Sequence, residues 1–199
     1  MRTRRAIHAA ALRVVQEHGF DKATVDMIST EAGVSPRTFL NYFPNKEAAV
    51  LLGPPDEVAS ALTAEFAATG ATHPQDVFAA VTREIVRDLA ENPPPREEML
   101  AAFELTRNHP VLLAALSARF ECFQRSIAEV VAQRLGRQPE DEMPTLIATV
   151  AVSAVRMGIQ RWVTADTPSD AADSPAPHVE HCAELLGIDL ARDAVTTWP

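Results

Sequence analysis

Residues 24–46 read TVDMISTEAGVSPRTFLNYFPNK, and this stretch decides the fold. Two short helical patterns flank a tight turn. Thr24 can cap a first helix carrying Val25, Ile28 and Ala32 on one face. Gly33 can end that helix, because glycine enters the left-handed backbone region without steric cost. Ser35 then caps a second helix with Pro36 at its first position, where the missing N–H does no harm. Phe39 and Phe43 are four residues apart and share a face that a fold would bury, whereas Arg37, Thr38, Asn41 and Tyr42 point elsewhere. Two helices crossing steeply at a glycine turn, the second with a polar outer face, form a helix-turn-helix. The second helix of such a unit fits the DNA major groove.

Upstream, Ile7, Ala11, Val14 and His18 recur at helical spacing and predict a helix over about 3–18, ended by Gly19. The basic start and apolar run also have the outline of a weak signal peptide. Arg13 and Glu17 interrupt that run and no small-residue cleavage site follows, which favours an amphipathic helix. Downstream, Pro44-Asn45-Lys46 opens a fourth helix, broken near Gly53-Pro54-Pro55. That break divides a head, residues 1–50, from a body, residues 51–199.

The body reads as further helices. One covers 56–68 with Val58, Leu62 and Phe66 inward. Thr72 to Gln75 fits a capping box, and the helix after it carries Phe78, Val81, Ile85 and Leu89 until Pro93-Pro94-Pro95. A helix over 96–108 aligns Met99, Phe103 and Thr106. From Pro110, Leu113, Leu116, Phe120, Phe123, Ile127 and Val130 form a heptad-like seam that ends at Gly136. In the next helix, about 140–165, residues 146–155 are apolar or small on nearly every side. A helix without a wet face must be buried all round, and in so small a domain that implies packing against a second subunit. Residues 167–177 read as loop, and a last helix begins near His178 with Val179, Cys182, Leu185 and Leu186 inward. There are no internal repeats and no period-two runs of β-branched residues. The expected fold class is all-α: a three-helix head carrying the helix-turn-helix, plus a helical body, about nine helices in total.

The chain has 199 residues, 47% hydrophobic and 23% charged, a globular composition. Its net charge of −9 at first opposes nucleic-acid binding, but the charge is unevenly spread. Residues 1–50 hold seven basic and five acidic side chains, and the rest holds eleven and twenty-two. That is a slightly basic head on an acidic body. Cys122 and Cys182 are far apart without metal-like spacing; both fall in helical patterns and read as buried free thiols, in keeping with a reducing cytoplasm. No run reads as long and apolar enough to span a membrane. An enzyme finds no support, because no phosphate loop, nucleophile elbow or zinc-protease motif is present. His178 and His181, with Glu184 or Cys182, could share a metal, but they border a loop and a surface helix explains them better. No cofactor or metal is expected.

Together these residues resemble the TetR family of bacterial transcriptional regulators. The likeness is specific over RRAIHAAALRVVQEHGFDKATVDMISTEAGVSPRTFLNYFPNKEAAV: the helix lengths, the Gly after the first helix, Ala32-Gly33-Val34-Ser35, and Thr38-Phe39 followed by Tyr42-Phe43 and Lys46. Beyond the head only the pattern of helices is similar. The resemblance implies a homodimer, joined through its last two helices, that binds a near-palindromic double-stranded operator, usually as a repressor. It also implies a ligand pocket in the body; the composition of the body suits a small apolar or amphipathic effector, and the expected mechanism is a shift toward a conformation whose two heads no longer match successive major grooves.

By motif position, Arg37, Thr38 and Asn41 are the base-reading candidates, with Ser35 and Pro36 at the helix start. Arg can fork onto guanine, Asn can pair with adenine, and the Thr methyl can meet a thymine methyl. Tyr42 and Lys46 are placed for phosphates, as is Thr24 at the start of its helix. Arg4, with Arg2 and Arg5, can form an arm over the backbone or minor groove. One position departs from the family pattern: Leu40 stands where many members carry a Tyr that meets the DNA backbone, and a leucine there could touch a thymine methyl or pack against the adjacent helix. The pocket candidates are Phe78, Met99, Phe103, Phe120, Phe123, Arg156 and Met157, with Trp162 and Arg125 nearby in sequence pattern. The competing expectation is a helix-turn-helix protein with no pocket, controlled by a protein partner.

Overall fold

The computed structural model describes residues 2–51, 61–64, 66, 72–165 and 174–193, and all regular structure among them is helical. The expected helix over 56–68 and the loop over 167–177 fall partly outside these residues. Two compact units form: Met1–Gly53 with Glu97–Arg119, and Pro54–Arg96 with Phe120–Pro199. The first unit thus takes in a segment, residues 97–119, that the sequence division at residue 50 leaves in the body.

In the first unit, α1 (Arg2–His18) ends at Gly19, whose φ of 81° lies in the left-handed region. Next, α2 (Val25–Glu31) begins at Thr24, whose side chain accepts a hydrogen bond from the Met27 N–H at 3.2 Å. Gly33, at φ 67°, turns the chain. Its N–H donates to the Thr30 carbonyl and that of Val34 donates to the Ser29 carbonyl, at 3.1 and 2.9 Å. This double bond pattern satisfies carbonyls that the helix end would otherwise leave orphaned. After the turn comes α3 (Pro36–Tyr42), with Ser35 Oγ accepting from the Thr38 N–H at 3.0 Å. In α4 (Lys46–Val50), Asn45 Oδ1 accepts from the Ala48 N–H at 2.8 Å. Ile7, Ala11, Val14, Ile28, Phe39 and Phe43 meet in one core, which also takes in Leu112.

The end of α4 shows why residues 97–119 belong here. His8 Nδ1 donates to the Ala49 carbonyl at 2.7 Å. Arg119 Nη1 donates to the carbonyls of Ala48 and Leu51, at 3.3 and 3.1 Å. Side chains from distant parts of the sequence thus serve the last carbonyls of this five-residue helix. His8 is 1% exposed, and its Nε2 has no hydrogen-bond partner and lies 3.6 Å from Glu98 Oε2. Burial pushes the His8 imidazole below its ordinary range, partly opposed by its bond to Ala49 and reinforced by the Arg119 charge. Burial pushes the Glu98 carboxyl up, against Arg5 and Arg13.

The second unit holds α5 (Pro74–Glu91), the later part of α7 (Pro110–Leu135), α8 (Glu142–Thr164) and α9 (Ala176–Asp193). Helix α6 (Arg96–Asn108) lies in the first unit except for Arg96. Val77, Phe78, Val81 and Ile85 of α5 pack with Phe123, Ile127 and Val131 of α7 and with Ile147, Val152 and Val155 of α8. Helices α8 and α9 approach each other closely. Gly158 carries no side chain there, and a Cβ in its place would sit 2.6 Å from Val179 Cα. Arg96 caps the C-terminal end of α8, its guanidinium donating to the carbonyls of Trp162, Val163 and Ala165.

Several expectations are corrected. The cap of α5 is His73 without a side-chain bond, so Thr72 starts no capping box; Pro74 opens the helix instead. In α7, Leu112 is buried and Leu113 is exposed. Leu112 precedes Phe123 by eleven residues, close to three turns of a straight helix, whereas the supposed seam follows the 3.5-residue period of a supercoil. Helix α8 leaves Met143, Leu146 and Met157 exposed in the single chain, the state expected of a helix whose burial is completed by a second subunit. By length and composition alone α8 could cross a bilayer, against expectation, yet its other flank is built into the second core. Cys182 is buried but Cys122 is exposed.

Two outcomes follow from this packing. Gly158→Ala places a methyl group against the Val179 backbone and should cost about 1–3 kcal/mol in chemical denaturation, with little relief from Val179→Ala, because Cα and N of residue 179 are also within 2.6 Å. Below the ordinary imidazole value of 6.5, the unfolded chain binds a proton at His8 that the folded chain resists. Stability should therefore fall as pH drops through and beneath 6.5, and His8→Gln should flatten that part of the curve. Glu98 acts in the opposite sense, stabilising at low pH and ceasing to do so as pH rises above its ordinary 4.5.

Candidate nucleic-acid interface

The geometry of the α2–α3 unit follows from the caps and the core beneath it. Phe39 and Phe43 are buried, with ring centroids 6.0 Å apart, and they orient α3. The opposite side of α3 is left to solvent: Arg37, Asn41 and Pro36 are exposed, Tyr42 is 44% exposed, and Thr38 is half-buried. Ser35 Oγ and Thr38 Oγ1 are hydrogen-bonded at 2.9 Å, so both hydroxyls are engaged at the start of the helix. Thr24 is exposed, and its hydroxyl serves as the cap of α2. Arg13 Nε donates to Glu31 Oε1 at 2.7 Å, tying α1 to the end of α2 on the surface.

Two basic residues expected on DNA are occupied otherwise. Lys46 Nζ donates to the carbonyls of Phe20 and Ala23, at 2.8 and 2.9 Å, and lies 4.5 Å from the centroid of the Phe20 ring. Its ammonium is turned onto the loop between α1 and α2, where it satisfies carbonyls that no helix serves. Arg4 is part of α1 rather than of a loose arm, and its guanidinium stands 5.6 Å from the centroid of the Phe43 ring. Arg5 is exposed on the same helix, and the side chain of Arg2 lies outside the described residues.

The residues expected around a pocket divide between the units. Met99 and Phe103 belong to the first, Met99 buried and Phe103 half-buried. Phe78 and Phe123 are in the second core, with Phe120 packed against it. The Arg156 guanidinium stands 5.4 Å from the Phe120 centroid, and Met157 is 51% exposed. Met157 thus sits on the outer side of α8. Among the metal candidates, Cys182 is buried while His181 and Glu184 are exposed, so they do not converge.

Some residues that matter here escape a reading of motifs. Arg119 and Arg96 act on backbone carbonyls far away in sequence, and no local pattern marks an arginine for that use. Leu40 could have packed onto a neighbouring helix; instead it is exposed beside Arg37 and Asn41.

Comparison with known proteins agrees with this geometry. Residues 7–51 match the family described as bacterial regulatory proteins, tetR family, and residues 75–183 match the MftR C-terminal domain of TetR-type proteins. The chain is 28% identical over 176 residues to the HTH-type transcriptional regulator TcmR of Streptomyces glaucescens, covering 85% of this chain and 77% of that protein. Among solved structures, a putative TetR-family regulator from Syntrophomonas wolfei aligns with a TM-score of 0.53 at 19% identity, over 96% of this chain and 95% of that one. A TetR-family regulator from Streptomyces coelicolor aligns with a TM-score of 0.51 at 18% identity, over 96% and 98%. A head with a capped helix-turn-helix and a helical C-terminal region matched over more than half its length place the chain in one group: it belongs to the TetR family of bacterial transcriptional regulators.

Proposed function

We propose that the chain is a homodimeric repressor that binds a near-palindromic operator in the bacterial cytoplasm, with α3 in the major groove. The observation that carries this is the outer face of α3. It offers Arg37 and Asn41 to solvent while Phe39 and Phe43 hold the helix in place from behind. Arg37 forks onto guanine and Asn41 pairs with adenine, the two pairings whose geometry distinguishes bases best. Tyr42 contacts phosphate from the flank of the helix. Lys46 shapes the head from within, so the phosphate-contact set is smaller than its sequence motif implies.

The support for a dimer is the apolar face of α8. Met143, Leu146 and Met157 are exposed there, and Leu185 is exposed on α9. A second copy covering these residues would remove apolar surface from water and set two heads against half-sites one helical turn, about 34–36 Å, apart. A small apolar or amphipathic effector, held near Phe78, Phe120 and Phe123, would shift the dimer between conformations only if it binds one of them more tightly. Control by a protein partner instead of an effector would leave operator binding unchanged by every compound that binds the isolated dimer.

Selection of bound sequences from random duplexes tests the central reading: the wild type should return a near-palindrome, and recovery of no preferred sequence would overturn it. Arg37→Ala should relax preference at one position per half-site and cost about 1–3 kcal/mol. Equal losses on operator and random DNA would remove Arg37 from base reading. Lys46→Ala should act differently, lowering the stability of the head by about 2 kcal/mol through two charge-assisted bonds and leaving the salt dependence of DNA binding nearly unchanged. Met157→Glu should convert the dimer to monomer in sedimentation experiments and weaken operator binding, while a dimer that persists would move the interface elsewhere.

A further inference from the structure

Leu40 is the aliphatic side chain of α3, and it is 56% exposed, whereas Phe39 and Phe43 are buried. Successive residues of an α-helix turn by about 100°. Arg37, Leu40 and Asn41 therefore fall within an arc of about 100°, turned away from the two phenylalanines. A single exposed leucine needs no explanation on an ordinary surface. The neighbours of this one give it meaning, because it shares the outer arc with the two side chains best suited to reading bases.

The chemistry of a leucine narrows what it can contact there. It has neither donor nor acceptor, so it cannot bond a phosphate or the polar edge of a base. Against such an edge it would displace water without replacing the lost hydrogen bonds. The major-groove edges of the four bases carry one apolar group, the C5-methyl of thymine. Contact with that methyl removes apolar surface from both partners at no polar cost. We propose that Leu40 reads a thymine C5-methyl in each half-site of the operator, adding an apolar determinant beside the polar contacts of Arg37 and Asn41. The proposal rests on the reading of α3 as the groove-reading helix.

The test removes the methyl without altering any hydrogen bond. Each thymine of the selected operator is replaced in turn by deoxyuridine, and affinity is measured for the full-length wild type and for Leu40→Ala. At one position per half-site the wild type should lose about fourfold, the weight of one buried methylene-sized group, and Leu40→Ala should be indifferent to the same replacement. Melting curves should show Leu40→Ala as stable as the wild type, since the side chain lies outside the core. A wild type indifferent to deoxyuridine at every position would overturn the proposal. So would a Leu40→Ala variant that keeps the full deoxyuridine penalty. If the wild type selects no sequence at all, the groove reading itself fails and takes this proposal with it. Selection of a clear operator without methyl sensitivity would reject Leu40 alone.

Discussion

The orientation of α3 depends on a single backbone turn. Gly33 takes a left-handed conformation at φ 67°, and the N–H groups of Gly33 and Val34 close back on the Thr30 and Ser29 carbonyls. A residue with a Cβ meets steric resistance at that φ. The turn ends α2, and two residues later Ser35 caps α3 and Pro36 fixes its first φ. Caps of this kind stop each helix at a defined residue, so Phe39 and Phe43 arrive at the core together. Once they are buried, the helix presents Arg37, Leu40 and Asn41 outward with little freedom left to turn.

Much of the positive charge near this unit is directed inward. Lys46 serves the Phe20 and Ala23 carbonyls, Arg119 serves those of Ala48 and Leu51, and Arg4 stands against Phe43. Arg119 thereby satisfies backbone oxygens at the end of a very short helix, which has few intrahelical bonds of its own, and Lys46 does the same for the loop between α1 and α2. The Lys46 ammonium in particular is engaged within the head. On the proposed reading, specific contacts on α3 carry correspondingly more of the recognition, and an apolar contact at Leu40 fits such a surface because it discriminates without adding charge.

Helix α8 divides its apolar residues between two environments. Val152, Val155 and Trp162 are buried within the chain, while Leu146 and Met157 are exposed on it. Gly158 brings α9 into backbone contact on the inner side, and Arg96 closes the last turn by bonding three of its final carbonyls. The inner side is thus fixed by close packing, and the outer side keeps an apolar surface that is exposed among the described residues.

The local features of the head were legible in sequence because they depend on near neighbours. A glycine at a left-handed position, Ser, Thr and Asn caps, a proline at a helix start and two phenylalanines four residues apart each carry their meaning within one turn of chain. Those residues determined the helix-turn-helix, the all-helical class and the family likeness. The tertiary structure decided what no local pattern encodes: that Lys46 faces carbonyls 23 and 26 residues away, that Arg119 reaches back to α4, that Leu112 rather than Leu113 is buried, and that Leu40 is left in water. A long side chain goes to whichever unsatisfied group the fold brings within reach, and the flank of a helix that is buried depends on what packs against it. Both are settled only when distant segments meet.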